Sequence, residues 1–541
     1  MIRLFASIWL AAVAGGGSCR SDQAPSTLRA SDCGPKLPCP TGLDCREGAC
    51  VGSEGAEEAI HLRIRPAADR SLAAVELVGL SVPEPVFTLA EPVQVPFQVA
   101  LDGQVLDPEG RSVAATRVVA LPQGGLGAAS LGVEGQQSAV NPAIFSLAIA
   151  PWWPTATGMR SLTAYRLRMA LPGLPPWEAD LRWNQVEPRV VVEIPRTDSV
   201  VRLPGTVRVG GGNPLPLAQV RVVAFGEDAS AGPLSSEGFT DALGRFELRF
   251  WPAGSVRRVR LQATSTDPQR PLPTLVQGVE VPLVGQAPPV VLEVGDSQRL
   301  FAATIQAVAE GRPLAGADVQ LAVEVGASTF TSRGRTDDQG QVRLPAWPGT
   351  HRIDVVASLD DPVRVTRVAR ALSASAPEAT VAPLPRTPVA GQVLDPEGAP
   401  VAQALVEARL LRATFGDPTL VRPEDVAPQR AFQTETLDDG SFLLSLDPGT
   451  HALTITPGRG LPIYHTEIAF SGDQPRTLDP ITLVPAAVVL ARLVDEDGAP
   501  VADTLVEAWS GGARPVRVWV DRTGSDGRFR LRVPTRPEPL P

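Results

Sequence analysis

Of the 541 residues only one, Lys36, is lysine, against 48 arginines. Beyond residue 36 the chain therefore cannot lock itself with a lysine-based internal crosslink, of the Lys–Asn or Lys–Asp kind. Its stability must come from burying apolar faces, at ~25 cal/mol per Å². Cysteine is confined to the first 50 residues, and aromatics make up only 5% of the chain, with two tyrosines. After the first 18 residues no apolar run is long enough to cross a bilayer as a helix. The charge balance is mildly acidic, −10 overall, and evenly mixed. There is no basic stripe of the kind a phosphate backbone requires, which excludes nucleic acid as the expected partner. No His-Glu-x-x-His, Gly-x-Ser-x-Gly or Gly-Lys phosphate loop occurs, so the familiar hydrolase and nucleotide motifs are missing too.

What is present begins with MIRLFASIWLAAVAGGGSC. A basic start at Arg3 precedes an apolar run from Leu4 to Val13, about half the span of a hydrocarbon core, as in an export signal. The run closes on small residues and Cys19. This resembles a bacterial lipoprotein signal, which implies a lipid on Cys19, although Gly16 stands where that pattern usually has Leu. Ordinary cleavage between Ala14 and Ser18 is the alternative. Cys33, Cys39, Cys45 and Cys50 follow in CGPKLPCPTGLDCREGAC. Gaps of five, five and four residues do not fit the Cys-x₂-Cys of zinc knuckles. In an exported chain two disulfides are the expectation, with three pairings open. The segment is similar to short Cys-rich stretches that follow the signal in bacterial surface lipoproteins.

The octet GQVLDPEG occurs twice, from Gly103 and from Gly391. It belongs to a longer pattern. Aligned on its last glycine, the chain gives near-copies at Gly110, Gly212, Gly311, Gly398 and Gly498, spaced by 102, 99, 87 and 100 residues. In DPEG, Asp, Pro and Gly suit positions i, i+1 and i+3 of a type I turn. A second landmark is Asp241-ALGRF, Asp338-QGQV, Asp439-GSF and Asp526-GRF, each opening an alternating strand. Phe442, Leu444 and Leu446 alternate with Ser441, Leu443 and Ser445; Phe529, Leu531 and Val533 alternate with Arg528, Arg530 and Arg532. Period-two patterning predicts strands with one core face and one wet face. A third landmark is a turn: Trp251-PAG, Trp347-PGTH and Asp447-PGTH. In the first copy Phe145-SLAI and Tyr165-RLRM stand for the later strands, separated by an insertion carrying Trp152 and Trp153.

The order V-x-G-x-V-x-D-x-x-G-x-P-V, D-G-x-F, P-G-T-[YH] resembles the bacterial carboxypeptidase-regulatory-like domain, most closely over 385–486. The resemblance implies a transthyretin-like, seven-stranded Greek-key β-sandwich. The expected fold is all-β: tandem sandwiches in an elongated array behind a small disulfide-rich segment. The expected divisions are a signal at 1–18, a lipid anchor and Cys-rich segment at 19–55, a divergent first sandwich at 56–195, sandwiches at 196–294, 295–384 and 385–486, and an incomplete one at 487–541. That last copy leaves a question, because either the frame stops early or a partner strand completes it. Pro-rich joints at Leu384-PRTP and Ala287-PP favour limited flexing.

Few residues suggest chemistry. His351 and His451 occupy equivalent PGTH turns in separate domains, too far apart to share an ion, and are expected to fill core slots; His61 and His465 are the other histidines. The Asp-rich turns at Asp337-Asp338, Asp438-Asp439 and Asp495–Asp497 are read as turn chemistry rather than Ca²⁺ sites. Trp152 and Trp153 form a candidate glycan platform. No catalytic residue, metal or cofactor is expected. The functional expectation is a non-enzymatic exported lipoprotein of the outer membrane or cell surface. It would contact the membrane through its lipid and a surface protein or polysaccharide through its repeats. A carbohydrate-binding array and an accessory subunit of a surface enzyme or secretion complex are the rival readings.

Overall fold

A computed structural model of the chain describes 43–46, 49–52 and, from 60 to 535, everything except 68–70, 83–84, 124–131, 156–157, 162–163, 183–188, 211–214, 227–231, 253–255, 268–271, 283–286, 297–298, 327, 415–429, 459, 473 and 511–514. All regular structure in the described residues is β, apart from one isolated 3₁₀ position. It is arranged as tandem β-sandwiches. The chain divides into two compact units. One draws on Met1–Met169, Glu178–Ile194 and Val484–Pro539; the other draws on Ala170–Trp177 and Pro195–Leu483.

The sandwich at 387–483 shows the common plan. One sheet sets Thr387–Leu394 against Ser441–Leu446 on one side. On the other side the same strand runs parallel to Arg476–Thr477 and Ile481–Thr482, which act as one interrupted strand. The second sheet has the order Ala431–Glu435, Leu405–Ala413, Gly449–Thr456, Tyr464–Phe470. Val389, Val393, Val406, Leu444, Leu453 and Ile455 point inward to a core of their own. Each such side chain, fully buried, contributes about 1.5–3 kcal/mol.

Two glycines explain why the landmarks recur together. In the Asp-x-x-Gly turns of the first landmark the amides of Gly110, Gly398 and Gly498 donate to the carbonyls of Asp107, Asp395 and Asp495. The turn glycine of the second landmark also sits at positive φ, 74° for Gly440, and packs against the first strand. A Cβ there would lie 2.4 Å from the Val393 carbonyl oxygen. Gly391 plays a different part. It stands opposite Phe442, and a Cβ on it would fall 2.4 Å from the ring. Gly103 with Phe145 and Gly205 with Phe246 repeat the pairing. The third sandwich fills the same space differently, with Ile305 opposite Val342. Small-opposite-large is the rule, and the volume can sit on either strand.

Sandwiches two and three share a sheet. Thr274–Pro282 pairs with Ser328–Arg335 through Leu275 opposite Phe330 and three further residue pairs, giving eight continuous strands. Phe330 and Trp347, ring centroids 5.9 Å apart, join the core of sandwich two. The Pro-rich joints are tied in at single points. Ala287 is buried, and the Leu384 carbonyl accepts from the Arg364 amide. Between sandwiches three and four the buried Arg386 donates to the carbonyls of Ser358, Leu359 and Val363 while lying 4.7 Å over Phe432. Asp447, the first residue of a PGTH turn, accepts from the Val365 amide at 3.0 Å.

In the other unit, residues 99–169 and 178–194 form one sandwich, in which Val99–Leu106 lies between Ile144–Ile149 and Arg189–Glu193. Residues 60–97 do not belong to it, contrary to the division at 56–195. They complete the last sandwich. Ala486–Val494 pairs antiparallel with Arg528–Pro534 and runs parallel to Val86–Thr88 and Val93–Gln94. Leu505–Ser510 lies between Arg517–Arg522 and Ile60–Arg65, and Ile60–Arg65 in turn pairs with Val75–Leu80. This is the plan of 387–483 strand for strand, with its last four strands supplied from the other end of the chain. The details match. The Leu89 amide donates to the Leu490 carbonyl as Leu478 does to Ala390, and Val95 donates to Val494 as Leu483 does to Leu394. The copy at 487–541 is thus not incomplete.

The Gly–Phe rule yields a test within sandwich four. Gly391→Ile alone is expected to destabilise this sandwich by about 2–3 kcal/mol through overpacking. Gly391→Ile with Phe442→Val, which imitates sandwich three, should recover at least half of that loss. Hydrogen exchange of the amides at 387–446 in the full chain measures both, and additive losses would refute the pairing.

Candidate functional site

The residues singled out in the sequence disperse. Cys19, Cys33 and Cys39 lie outside the described residues. Cys45 and Cys50 stand directly opposite each other in a hairpin of Leu43–Arg46 and Ala49–Gly52. Trp152 and Trp153 are 8% and 3% exposed, so neither ring of the candidate glycan pair offers a stacking face. They belong to a hairpin, Trp152–Thr155 with Gly158–Ser161, whose Thr155 pairs with Val78 at the edge of the closed sandwich. Both rings are covered. The Trp152 Nε1–H donates to Glu496 at 3.1 Å.

The buried His451 bonds the Asp447 carbonyl through Nε2 at 2.7 Å and stacks on Phe470. His351, equally buried, bonds the Gly349 carbonyl through Nδ1. Burial holds both rings below the usual histidine range. His465 bonds Thr454. In the turns, one carboxylate oxygen each of Asp107, Asp241, Asp337, Asp395 and Asp495 accepts two backbone amides, from residues i+2 and i+4. That is local capping chemistry. Among the described residues no three His, Cys, Asp or Glu side chains converge as a metal site.

The unusual grouping lies on the strand that closes the last sandwich. Ile60, Leu62 and Ile64 face the core, so His61, Arg63 and Arg65 face outward. An outward face is ordinarily wet, yet His61 is 7% and Arg63 only 4% exposed. Arg63 sits opposite Glu76 on one neighbouring strand and opposite Glu507 on the other. It pairs with Glu76 at 3.5 Å and lies 4.5 Å over the Trp509 ring. Glu507, also buried, takes Arg517 at 3.2 Å and Arg65 at 3.7 Å. His61 Nδ1 accepts the Gly79 amide at 3.2 Å.

Buried charge is costly unless matched, and a buried ion pair adds little net stability against a hydrophobic replacement. Its use here is register. A one-residue slip of Ile60–Arg65 would turn Arg63 into the core and leave Glu76 and Glu507 facing an isoleucine or leucine. The seam between the two ends of the chain thus carries its own address. Beside it lies a cleft of about 210 Å³ between the two sandwiches of this unit, lined by Arg65, Ala73, Gln98, Val133, Trp153 and Tyr165. Its Tyr165 hydroxyl is committed to the Ala150 carbonyl at 2.7 Å.

In the sequence His61 stands out only as one of four histidines, and nothing marks Arg63, Glu76 or Glu507. A signal existed: EPVQVP at 91–96 parallels DPITLVP at 479–485, the final strand of the complete copy. Read so, 60–97 is the tail of a repeat whose head lies at 486.

No family model matches the chain, and no curated protein matches it. The likeness to carboxypeptidase-regulatory-like domains therefore rests on the motifs quoted above. Solved structures align over long stretches. A Streptococcal ancillary pilin is 12% identical, with 52% of this chain and 99% of that one covered, at a TM-score of 0.21. The Bacillus anthracis TIE protein is 11% identical over 72% and 74% of the two chains, at 0.17. The pilus adhesin SpaC from Lactobacillus rhamnosus GG is 9% identical over 62% and 52%, at 0.18. At these TM-scores the alignments carry no argument about this chain.

His61 makes the seam acid-sensitive. Burial lowers its pKa from 6.5 to about 4. Above pH 6.5 the ring is neutral folded and unfolded. Between pH 6.5 and 4 only the unfolded chain takes the proton, so stability is lost as pH falls, by on the order of 3 kcal/mol at the acid end. Thermal melts of the full chain from pH 7.5 to 4 should show this loss. It should shrink in His61→Asn, which keeps an acceptor for Gly79 and does not titrate. Equal acid slopes for the two proteins would exclude His61 as the cause.

Proposed function

We propose that this chain is a non-enzymatic exported protein of the cell surface, held by a lipid on Cys19 and acting as a structural spacer or interaction protein. The observation that carries this reading is the use to which its reactive side chains are put. At the seam carboxylates, guanidinium groups, an imidazole and an indole gather, and there the buried Arg63, Glu76 and Glu507 meet partners of opposite charge across strands. The Asp-rich turns are capped by their own amides, and two of the histidines are core rings. A chain that spends its polar groups on joining sandwiches suits load-bearing or presentation better than turnover. The export signal and the cysteines confined to the first 50 residues support the location. The motif likeness to a module used in many contexts agrees with a scaffold role and assigns no ligand.

The full-length protein made in a bacterial host is expected to incorporate radiolabelled palmitate and to sediment with membranes, and Cys19→Ala should abolish both. Purified, it should leave peptide and polysaccharide substrates uncleaved. A soluble, unlabelled wild type would overturn the anchor, and cleavage lost on substitution of a seam carboxylate would overturn the non-enzymatic reading.

A further inference from the structure

We propose that the seam is also a homotypic linkage site, at which the 60–97 half of one copy completes the 484–535 half of a second copy of this chain. This goes beyond the spacer reading and does not depend on the lipid anchor.

The argument starts from what each half lacks. Residues 60–97 present Ile60, Leu62, Ile64 and Leu77 to a core they cannot enclose, and 484–535 present Val489, Val506 and Leu531 likewise. The surface between the halves is a domain interior divided in two, the kind found in obligate complexes. Its contacts include the Arg65–Glu507 pair, Arg63 over Trp509, and the ladders to Leu505–Ser510 and Ala486–Val494. None of them depends on which chain supplies the strand. The address written by Arg63 and Glu507 is read identically within one chain and between two.

What favours closure within one chain is only the tether, residues 98–483. Tethering acts as an effective concentration, at most ~mM for short flexible linkers. This tether consists of four sandwiches, two of which share a sheet. Timing works against it as well. At about 5–20 residues per second of synthesis, the acceptor half follows the donor half by roughly 20–80 s. During that interval each 60–97 half is unpaired, and any 484–535 half nearby is an equivalent partner. Exchange can close reciprocally as a dimer or continue as an open chain of copies.

The test uses full-length chains. Arg65 and Leu505 face each other across the seam and are both partly exposed. Isotope-labelled Arg65→Cys is unfolded with unlabelled Leu505→Cys, refolded together over a range of concentrations, and treated with a short bis-maleimide. Mass spectrometry reads the peptide joined between positions 65 and 505. The double variant in one chain provides the internal control. Thr88→Cys with Leu490→Cys, opposed on the other sheet and exposed, repeats the design should the first pair fold poorly. The expected result is a labelled–unlabelled joined peptide whose yield rises about tenfold per tenfold in protein concentration while it is the minor product. Joining in the double variants with none between chains would overturn the linkage and leave the spacer reading standing. No joining in either format would overturn the seam, and the linkage with it.

Discussion

A strand whose alternate side chains are apolar makes a sheet with one dry face, and that face is stable only under a second sheet. This requirement governs every sandwich in the chain. It explains the inward set at Val389, Leu444, Leu453 and Ile455, and it explains why residues 484–535 do not stand alone. Four strands from that end bury part of their apolar surface against one another, but a sandwich of this plan needs the strands that follow the third turn. The chain supplies them from residues 60–97. No crosslink helps, since lysine is absent from every sandwich and the cysteines all precede residue 51.

The joints follow the same logic. A sheet edge exposes unpaired backbone groups, and this chain covers several of its edges with neighbouring elements. Thr274–Pro282 is covered by Ser328–Arg335 of the next sandwich. Val75–Leu80 is met by the Trp152–Thr155 hairpin. Between sandwiches three and four a small apolar cluster of Val356, Val365, Leu410 and Ala413 is joined by polar links, the Arg386 guanidinium on three carbonyls and the Asp447 carboxylate on the Val365 amide. The PGTH turn that reads in sequence as a bend therefore also works as a joint.

Much of this was legible in the residues. Asp-x-x-Gly turns and alternating Phe-x-Leu strands are local, and locality is what a sequence displays. The capping of Asp395 and Asp495 and the inward facing of Phe442 and Phe529 follow directly. Partner choice is not local. IHLRI announces a strand with Ile60, Leu62 and Ile64 on one face, but nothing within it names Leu505–Ser510 as its neighbour, and chain order alone points to the sandwich that follows it. Trp152 and Trp153 show the same limit. Alternation is a local property, while the burial of both rings depends on what the rest of the unit lays over them.

The central claim is that residues 60–97 are the missing half of the last sandwich, and hydrogen exchange on a chain lacking 60–97 tests it most directly. The account predicts that amides in Ala486–Val494 and Arg528–Pro534 lose their protection in that chain, while those in Thr387–Leu394 and Gly449–Thr456 exchange as in the intact protein. Unchanged protection at 486–534 would contradict it.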